Sequence, residues 1–523
     1  MLRVFQLMVV SLLVCAGSQA RDEAPTPIIA TIEIYVAGVF EDENGDTSNL
    51  WPYRAANRLH IETRESIIRQ ELLFAVGDPL DPEVVAQTER NLRALPFLRR
   101  AEIESTILAD GRVLLRVTTS DAWSTAPEFR VAKVGNEWIW AAGASETNLF
   151  GLGKQLRLLH DSNLDRDETF MFYRDPRTFG SRVTSAVLLS SASDGHRINL
   201  YATRPFFSIG TLWSVHATFE DFDRLDPLFK DGERVAQLRH YRRRGEFNAA
   251  RAVKRSPTSA VRLHLAYASS EDDIAEGENV RRFGLLQVGV SSVDHRFLEL
   301  TYINQFERTE DFNLGNVASA FFGISTRALG GEDLTSYSFF LGERRGLKLP
   351  GVGFVLGDIS WRARYRNDRI ENGVLHARAN LVQKLSLRRL ILAKADFFYG
   401  TELDPEVQFR LGAESGLRGY PVRQFNGNRS LLLSLEGRWF LTDNIARLVS
   451  VGIAAFFDSG FAWPDSQPMR LSDMHSDIGV SLLLGANRVS ASTPGVRIDF
   501  AYALDPIEGR SRWLLSAGSR IGF

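Results

Sequence analysis

Arg418 stands in a glycine-bracketed stretch, Gly416-Leu417-Arg418-Gly419-Tyr420, and Asp458 stands further along in Phe456-Phe457-Asp458-Ser459-Gly460. A guanidinium and a carboxylate break no bonds by themselves. Brought together away from bulk water, they make a two-pronged ion pair that fixes direction as well as distance. Glycine near the arginine lets a loop bend tightly enough to carry it inside a larger structure. The chemistry open to this pair is therefore positional, with Arg418 anchoring a loop and Asp458 receiving it. Spacing alone leaves a second reading open, in which Arg418 is a solvated cation and Asp458 one polar-face charge among many.

Other chemistry is sparse. The nine histidines form no HExxH, and there is no GxSxG elbow and no phosphate-binding glycine loop. The lone Cys15 falls inside a leader-like segment, which leaves no thiol nucleophile, disulfide or cysteine metal ligand beyond it. No enzyme activity, cofactor or metal site is expected. Arg242, Arg243 and Arg244 form a basic cluster beside Tyr241, but alternation along a strand would split them between two faces. A net charge of −2 gives no reason to expect nucleic acid as a partner.

The elements that must position Arg418 and Asp458 read as strands. After the glycine-rich loop, Leu431, Leu433, Leu435 and Trp439 share one face, and Ser430, Ser434, Glu436 and Arg438 the other. Ile198, Leu200 and Ala202 alternate in the same way, as do Val261, Leu263, Leu265 and Tyr267 against Arg262 and His264. Val496, Ile498, Phe500 and Tyr502 do so against Arg497 and Asp499. His264 and Asp499 then read as residues of the polar face. The chain is 44% hydrophobic, yet past residue 20 no run of 18 uncharged apolar residues occurs. Helical spans are therefore not expected, whereas a barrel spreads its apolar residues over alternate positions.

A soluble sandwich would alternate too. It would not run through residues 123–523 in one strand-and-turn regime and end inside a strand on an aromatic residue, whereas closure in lipid accounts for both. The fold class expected is mainly β: a transmembrane antiparallel β-barrel, at roughly 25 residues per strand and loop about 16 strands. One small α+β domain precedes it.

At the N-terminus, Arg3, the apolar run Val4 to Val14 and Ser18-Gln19-Ala20 read as a signal peptide over residues 1–20, followed by a linker over 21–28. Residues 29–122 carry a strand at Ile32 to Val36, a helix around Ile68 and Leu72, and a second helix capped by Asp81 with Pro82 in its first turn. Strands follow at Ile103 to Ile107 and Val113 to Val117, joined at Asp110-Gly111. The order strand, helix, helix, strand, strand makes a two-helix, three-stranded module with a free sheet edge able to pair with an extended chain.

Four motifs stand out along the chain: Leu417-Arg418-Gly419-Tyr420, FFDSG with Asp458 and Gly460, ETNLFGLG from Glu146 to Gly153, and the final strand with Gly518, Ile521 and Phe523. Together they resemble the BamA/TamA-like surface antigen family, outer-membrane barrels that carry periplasmic POTRA domains. GDPLDPEVVAQTERNLRALPFL resembles the middle of such a domain, and one domain of this type fits before the barrel. The resemblance implies a lumen loop at Leu417 to Tyr420 anchored on Asp458 and Gly460. It implies a lateral gate bordered by first-strand residues from Trp138 to Thr147, with Glu146, Asn148, Phe150 and Gly151 beside it. It also implies a C-terminal insertion signal at Trp513, Gly518, Ile521 and Phe523.

The function expected on that resemblance is insertion or assembly of β-barrel polypeptides in a Gram-negative outer membrane, with the small domain in the periplasm. The alternative is a translocation pore that exports a polypeptide; an ordinary porin would need neither the small domain nor the loop. Partners implied are unfolded outer-membrane or secreted polypeptides and membrane lipid. Lipopolysaccharide, periplasmic chaperones and accessory lipoproteins are further candidates.

Overall fold

The structure is a computed structural model that describes residues 26–40, 60–134, 137–274, 279–445, 449–486, 488–490, 495–509 and 511–518. The leader expected over residues 1–20 lies outside them, as do Ile521 and Phe523 of the expected insertion signal.

The small domain comprises β1 (Ile29–Ala37), α1 (Glu65–Glu71), α2 (Pro82–Arg93), β2 (Leu98–Ile107) and β3 (Val113–Asp121). Its sheet order is β1-β3-β2, with β1 parallel to β3 and β2 antiparallel to it. The parallel pair follows from the connection, because two helices give the chain room to return in the same direction. Asp81 starts α2 by accepting from the backbone N–H of Glu83 at 2.9 Å, and Pro82 fills the first turn, where no N–H is needed. Ile68 and Leu92 on the helices, with Val113, Leu115 and Val117 on β3, are fully buried and form the core.

Beyond the small domain, 20 antiparallel strands run from Thr125–Val134 to Trp513–Gly518 and close into a barrel, the last beside the first. The sequence-based count of 16 is too low. It allows too many residues per connection, whereas several connections are two-residue turns. Asp231-Gly232 and Asn367-Asp368 are examples, with left-handed backbone at Asp231, Asn367 and Asp368 that suits tight hairpins. The even count places both ends of the barrel chain on the face that meets the small domain, here called the domain end.

The wall is apolar outside and charged inside. Leu433, Leu435 and Trp439 are 40%, 50% and 37% exposed, while Glu436 and Arg438, between them in sequence, are 2% and 1% exposed. Leu263, Leu265, Val496 and Phe500 are likewise turned outward. Water would drive the opposite arrangement; hydrocarbon favours this one, and the fold is that of an outer-membrane β-barrel. Among the described residues no helix is long and apolar enough to cross a membrane.

The strands differ in length. Trp213–Lys230 and Glu233–Arg255 have 18 and 23 residues, whereas Thr125–Val134 and Val496–Ala503, near the closure, have 10 and 8. The arginine cluster lies on the tall wall and is split: Arg242 pairs with Asp272 and Arg243 with Asp221.

Two segments leave the wall and fill the lumen. Residues 402–428 fold inward from the far end and include a short ladder, Phe409–Leu411 against Phe425–Gly427. At the domain end, between strands Asn279–Asp294 and Val317–Ser325, a hairpin pairs Phe297–Thr301 with Thr309–Asn313.

Candidate functional site

The far-end loop is positioned by its own packing before its charge comes into play. Leu417 and Tyr420 are fully buried and pack with Leu411, Phe425 and Leu432. The Tyr420 hydroxyl donates to the Ser476 carbonyl at 2.9 Å and to that of Asp505 at 3.2 Å. Burial, then the charge of Asp505, raises that hydroxyl's pKa above its ordinary value. Between these two anchors Gly419 passes so close to the wall that a Cβ would lie 2.6 Å from that of Asp477. Only glycine fits there without moving a strand.

Arg418 is thereby aimed across the lumen. Its Nε and Nη2 donate to the two oxygens of Asp458 at 2.6 and 2.9 Å, and its Nη1 donates to Glu436 at 2.8 Å. The guanidinium lies 3.5 Å from the centre of the Phe456 ring. Burial works against the charge on Arg418, and Asp458 with Glu436 more than offsets it, so its pKa is raised overall. Gly460, paired with Asp458 in the sequence reading, makes room: a Cβ there would sit 2.7 Å from the Leu431 carbonyl.

Glu436 is the node of a larger network. Besides Arg418 it receives the fully buried Arg438, and Arg497, whose Nη2 donates at 2.8 Å. Arg497 also donates through Nε to Asp499 at 2.7 Å. In the opposite direction Arg438 Nη1 donates to the backbone carbonyl of Ile303 at 2.8 Å. Ile303 belongs to the tip of the domain-end hairpin, so one chain of charged hydrogen bonds joins the two lumen segments.

The hairpin seats differently. Tyr302, Ile303, Phe306 and Leu314 pack into a buried cluster with Phe354, Leu390, Leu392 and Phe440 of the wall. Phe306 meets Phe440 edge-on, with ring centres 4.9 Å apart. Its socket depends on a missing side chain, because a Cβ on Gly485 would lie 2.3 Å from the Phe306 ring. The tip is held in shape by Glu310, which accepts from the backbone N–H groups of Ile303, Asn304 and Gln305 at 3.1, 2.8 and 3.2 Å. Tyr302 donates to Asp443 at 2.8 Å.

A polar cavity of about 990 Å³ remains inside the barrel, lined in part by Arg242, Asp272, Arg364, Asp404 and Glu406. Loop residues pair with a wall strand and with a far-end turn. Arg364 donates to Asp404 at 2.8 Å, and Arg423 makes a two-pronged pair with Asp165 at 2.6 and 2.7 Å. The interior offers mixed charge, and among the described residues no cluster suited to a metal occurs.

The remaining sequence-predicted residues fall elsewhere. The strand at the closure is Thr125–Val134, so Trp138 and Glu146, on Glu137–Leu149, lie one strand in from it. This corrects the first-strand reading, because residues 125–134 already complete a strand before the turn. Asn148, Phe150 and Gly151 form the turn that receives the small domain. Asn148 is fully buried and donates to Thr63 at 2.9 Å, while Arg64 donates to the Gly151 carbonyl at 3.1 Å and to that of Phe150 at 3.2 Å. Trp513 is exposed and stacks on Phe500, and nothing lies within 4 Å of a Cβ built on Gly518. Sequence reasoning missed the hairpin; the available signal was an aromatic-rich stretch, Tyr302 to Phe312, with no strand alternation.

No protein-family model matches the sequence, and no curated protein matches it. Among solved structures the chain is similar to CdiB from Escherichia coli at 12% identity, covering 98% of this chain and 96% of that one with a TM-score of 0.46. It is similar to CdiB from Acinetobacter baumannii at 13%, covering 94% and 73%, with a TM-score of 0.45. BamA from Haemophilus ducreyi lacking POTRA domains 1–3 gives 13%, 94% and 84%, with a TM-score of 0.42. No residue role is carried across from them.

Proposed function

We propose that this protein is a polypeptide translocation pore of a Gram-negative outer membrane, its small domain standing in the periplasm to receive an unfolded chain. One observation carries the reading: the lumen of a 20-strand barrel is stopped from both ends by segments of its own chain, neither of which is part of the wall. A stopper is useful where the space behind it is a path. The polar lining suits passage of an extended polypeptide, whose backbone groups need water or polar partners throughout. In this reading Arg418 and Asp458 hold the closed position of the loop, the protein performs no bond chemistry, and its partners are unfolded secreted polypeptides and membrane lipid.

A second reading, insertion of barrel strands sideways through the closure, is favoured by the short strands there, of 10 and 8 residues. The LRGY and FFDSG motifs suit both. Depletion followed by an inventory of secreted and outer-membrane proteins separates them: loss of one or a few secreted polypeptides is expected, and loss of many barrels would favour insertion. Crosslinks from a client to Arg242 or Arg362, which line the cavity, support export; crosslinks confined to residues 125–134 contradict it.

A further inference from the structure

The hairpin Phe297–Asn313 is tied to the small domain more directly than to the wall strands that flank it. Arg93, at the last turn of α2, donates through Nε and Nη2 to the two oxygens of Asp311 at 3.0 and 2.6 Å, and through Nη2 to Glu299 at 2.7 Å. Asp311 and Glu299 lie directly opposite each other on the two hairpin strands, so one guanidinium grips both. One turn earlier on α2, Arg90 lies 4.3 Å from the Phe297 ring. The tip, 302–308, fills the socket made by Phe440 and Gly485, and its Glu307 also pairs with Arg100 of the small domain.

Away from the hairpin, Leu152 of the barrel packs on the small-domain core, and the other contacts are polar. Asn91 donates to the Phe207 carbonyl at 3.1 Å, Arg177 pairs with Glu71, and Arg182 donates to the Gln70 carbonyl at 3.1 Å. A boundary built of hydrogen bonds and ion pairs separates at smaller cost than an apolar one, because water replaces most of what is lost. The hairpin tip, by contrast, has an apolar seat, and its backbone N–H groups are held by Glu310 of the hairpin itself and not by the wall.

We propose that this hairpin is a movable gate at the domain end of the lumen, held shut by the small domain through Arg93. A shift of the domain that breaks the Arg93 contacts releases both hairpin strands at once and lets the tip leave its socket. Because Ile303 leaves the lumen with the tip, Arg438 loses its carbonyl partner, and the network around Glu436 that also holds Arg418 is weakened from the opposite end. Gating of the two stoppers is thereby coupled through Glu436. The inference rests on the pore reading for its purpose, but its test does not depend on passage of any client.

The test uses the full-length chain in detergent or lipid, in a Cys15→Ser background, with Ile303→Cys at the hairpin tip, where the side chain is fully buried. The rate of its reaction with a water-soluble maleimide reports how often the tip is withdrawn. Arg93→Ala is expected to raise the rate about tenfold, Asp311→Asn to raise it similarly, and the double variant no further. Arg177→Ala, which breaks a small-domain contact away from the hairpin, is expected to leave the rate near that of the parent. Heat-modifiable migration on gels shows that each barrel is folded, and Asp311→Asn stands in if Arg93→Ala fails that check. Unchanged labelling in both Arg93→Ala and Asp311→Asn would overturn the gate. An equal rise in Arg177→Ala would overturn the assignment of the latch to Arg93. Failure of the client inventory with these labelling results intact would remove the pore reading and leave the gate.

Discussion

The two segments that stop the lumen are held by different physics. The far-end loop is fixed by a directional, buried ion-pair network in which Arg418, Arg438 and Arg497 converge on Glu436. The domain-end hairpin is fixed by aromatic packing around Phe306 and by Arg93, which reaches it from outside the barrel. A buried network is unforgiving, since removing Glu436 takes the carboxylate from the fully buried Arg438 and leaves Arg418 and Arg497 with one each. An apolar seat loses stability in proportion to what is trimmed, and the hairpin can leave it as a unit. The comparison assigns the loop to setting the closed state and the hairpin to leaving it.

The largest effect tests the unforgiving side. Glu436→Ala strips the common partner from three buried or nearly buried arginines and is expected to cost about 4 kcal/mol, read as a fall in the temperature at which the barrel loses its heat-modifiable gel migration. Arg418→Ala and Asp458→Ala come next. Each is expected to destabilise, and the double variant to show a coupling of about 2 kcal/mol; additive losses would remove the pair from the account.

Phe306→Ala sharpens the other side. It empties the socket beside Gly485 and is expected to cost about 3 kcal/mol locally, seen as protease cleavage within residues 302–308 while the heat stability of the barrel changes little. An equal fall in barrel stability would mean that the hairpin is part of the wall's own support. The smallest effect is one of pH. His295, at the base of the hairpin, has its pKa pushed down from 6.5 to about 4 by burial and by the nearby Arg90. The folded hairpin therefore favours neutral imidazole. That contribution is whole above about pH 6.5 and is lost as the pH falls toward 4. Protease sensitivity of the hairpin is expected to rise over that window, and a flat profile would contradict it.

Much of the wall was legible because alternation at Leu431 to Trp439 states which face meets lipid. The pairing of Arg418 with Asp458 was legible only through the family resemblance, because spacing alone also allowed a solvated Arg418. The strand count was not legible: turns as short as Asp231-Gly232 leave little trace between two alternating runs. Nor was the hairpin. Tyr302, Ile303 and Phe306 are apolar residues turned inward, and their socket takes Phe354, Leu390, Leu392 and Phe440 from strands whose apolar residues otherwise read as lipid-facing. The ETNLFG turn was noticed as a motif, but nothing in its spacing says that Asn148 meets Thr63 of the small domain.

Single-channel conductance across a planar bilayer tests the central claim most directly, comparing the parent with a chain in which residues 413–422 and residues 302–308 are both replaced by short glycine-serine links. Two stoppers in one water-filled lumen predict a parent that is closed nearly all the time and a doubly shortened chain that is steadily open. A parent that conducts steadily, or a correctly folded doubly shortened chain that stays closed, would contradict it.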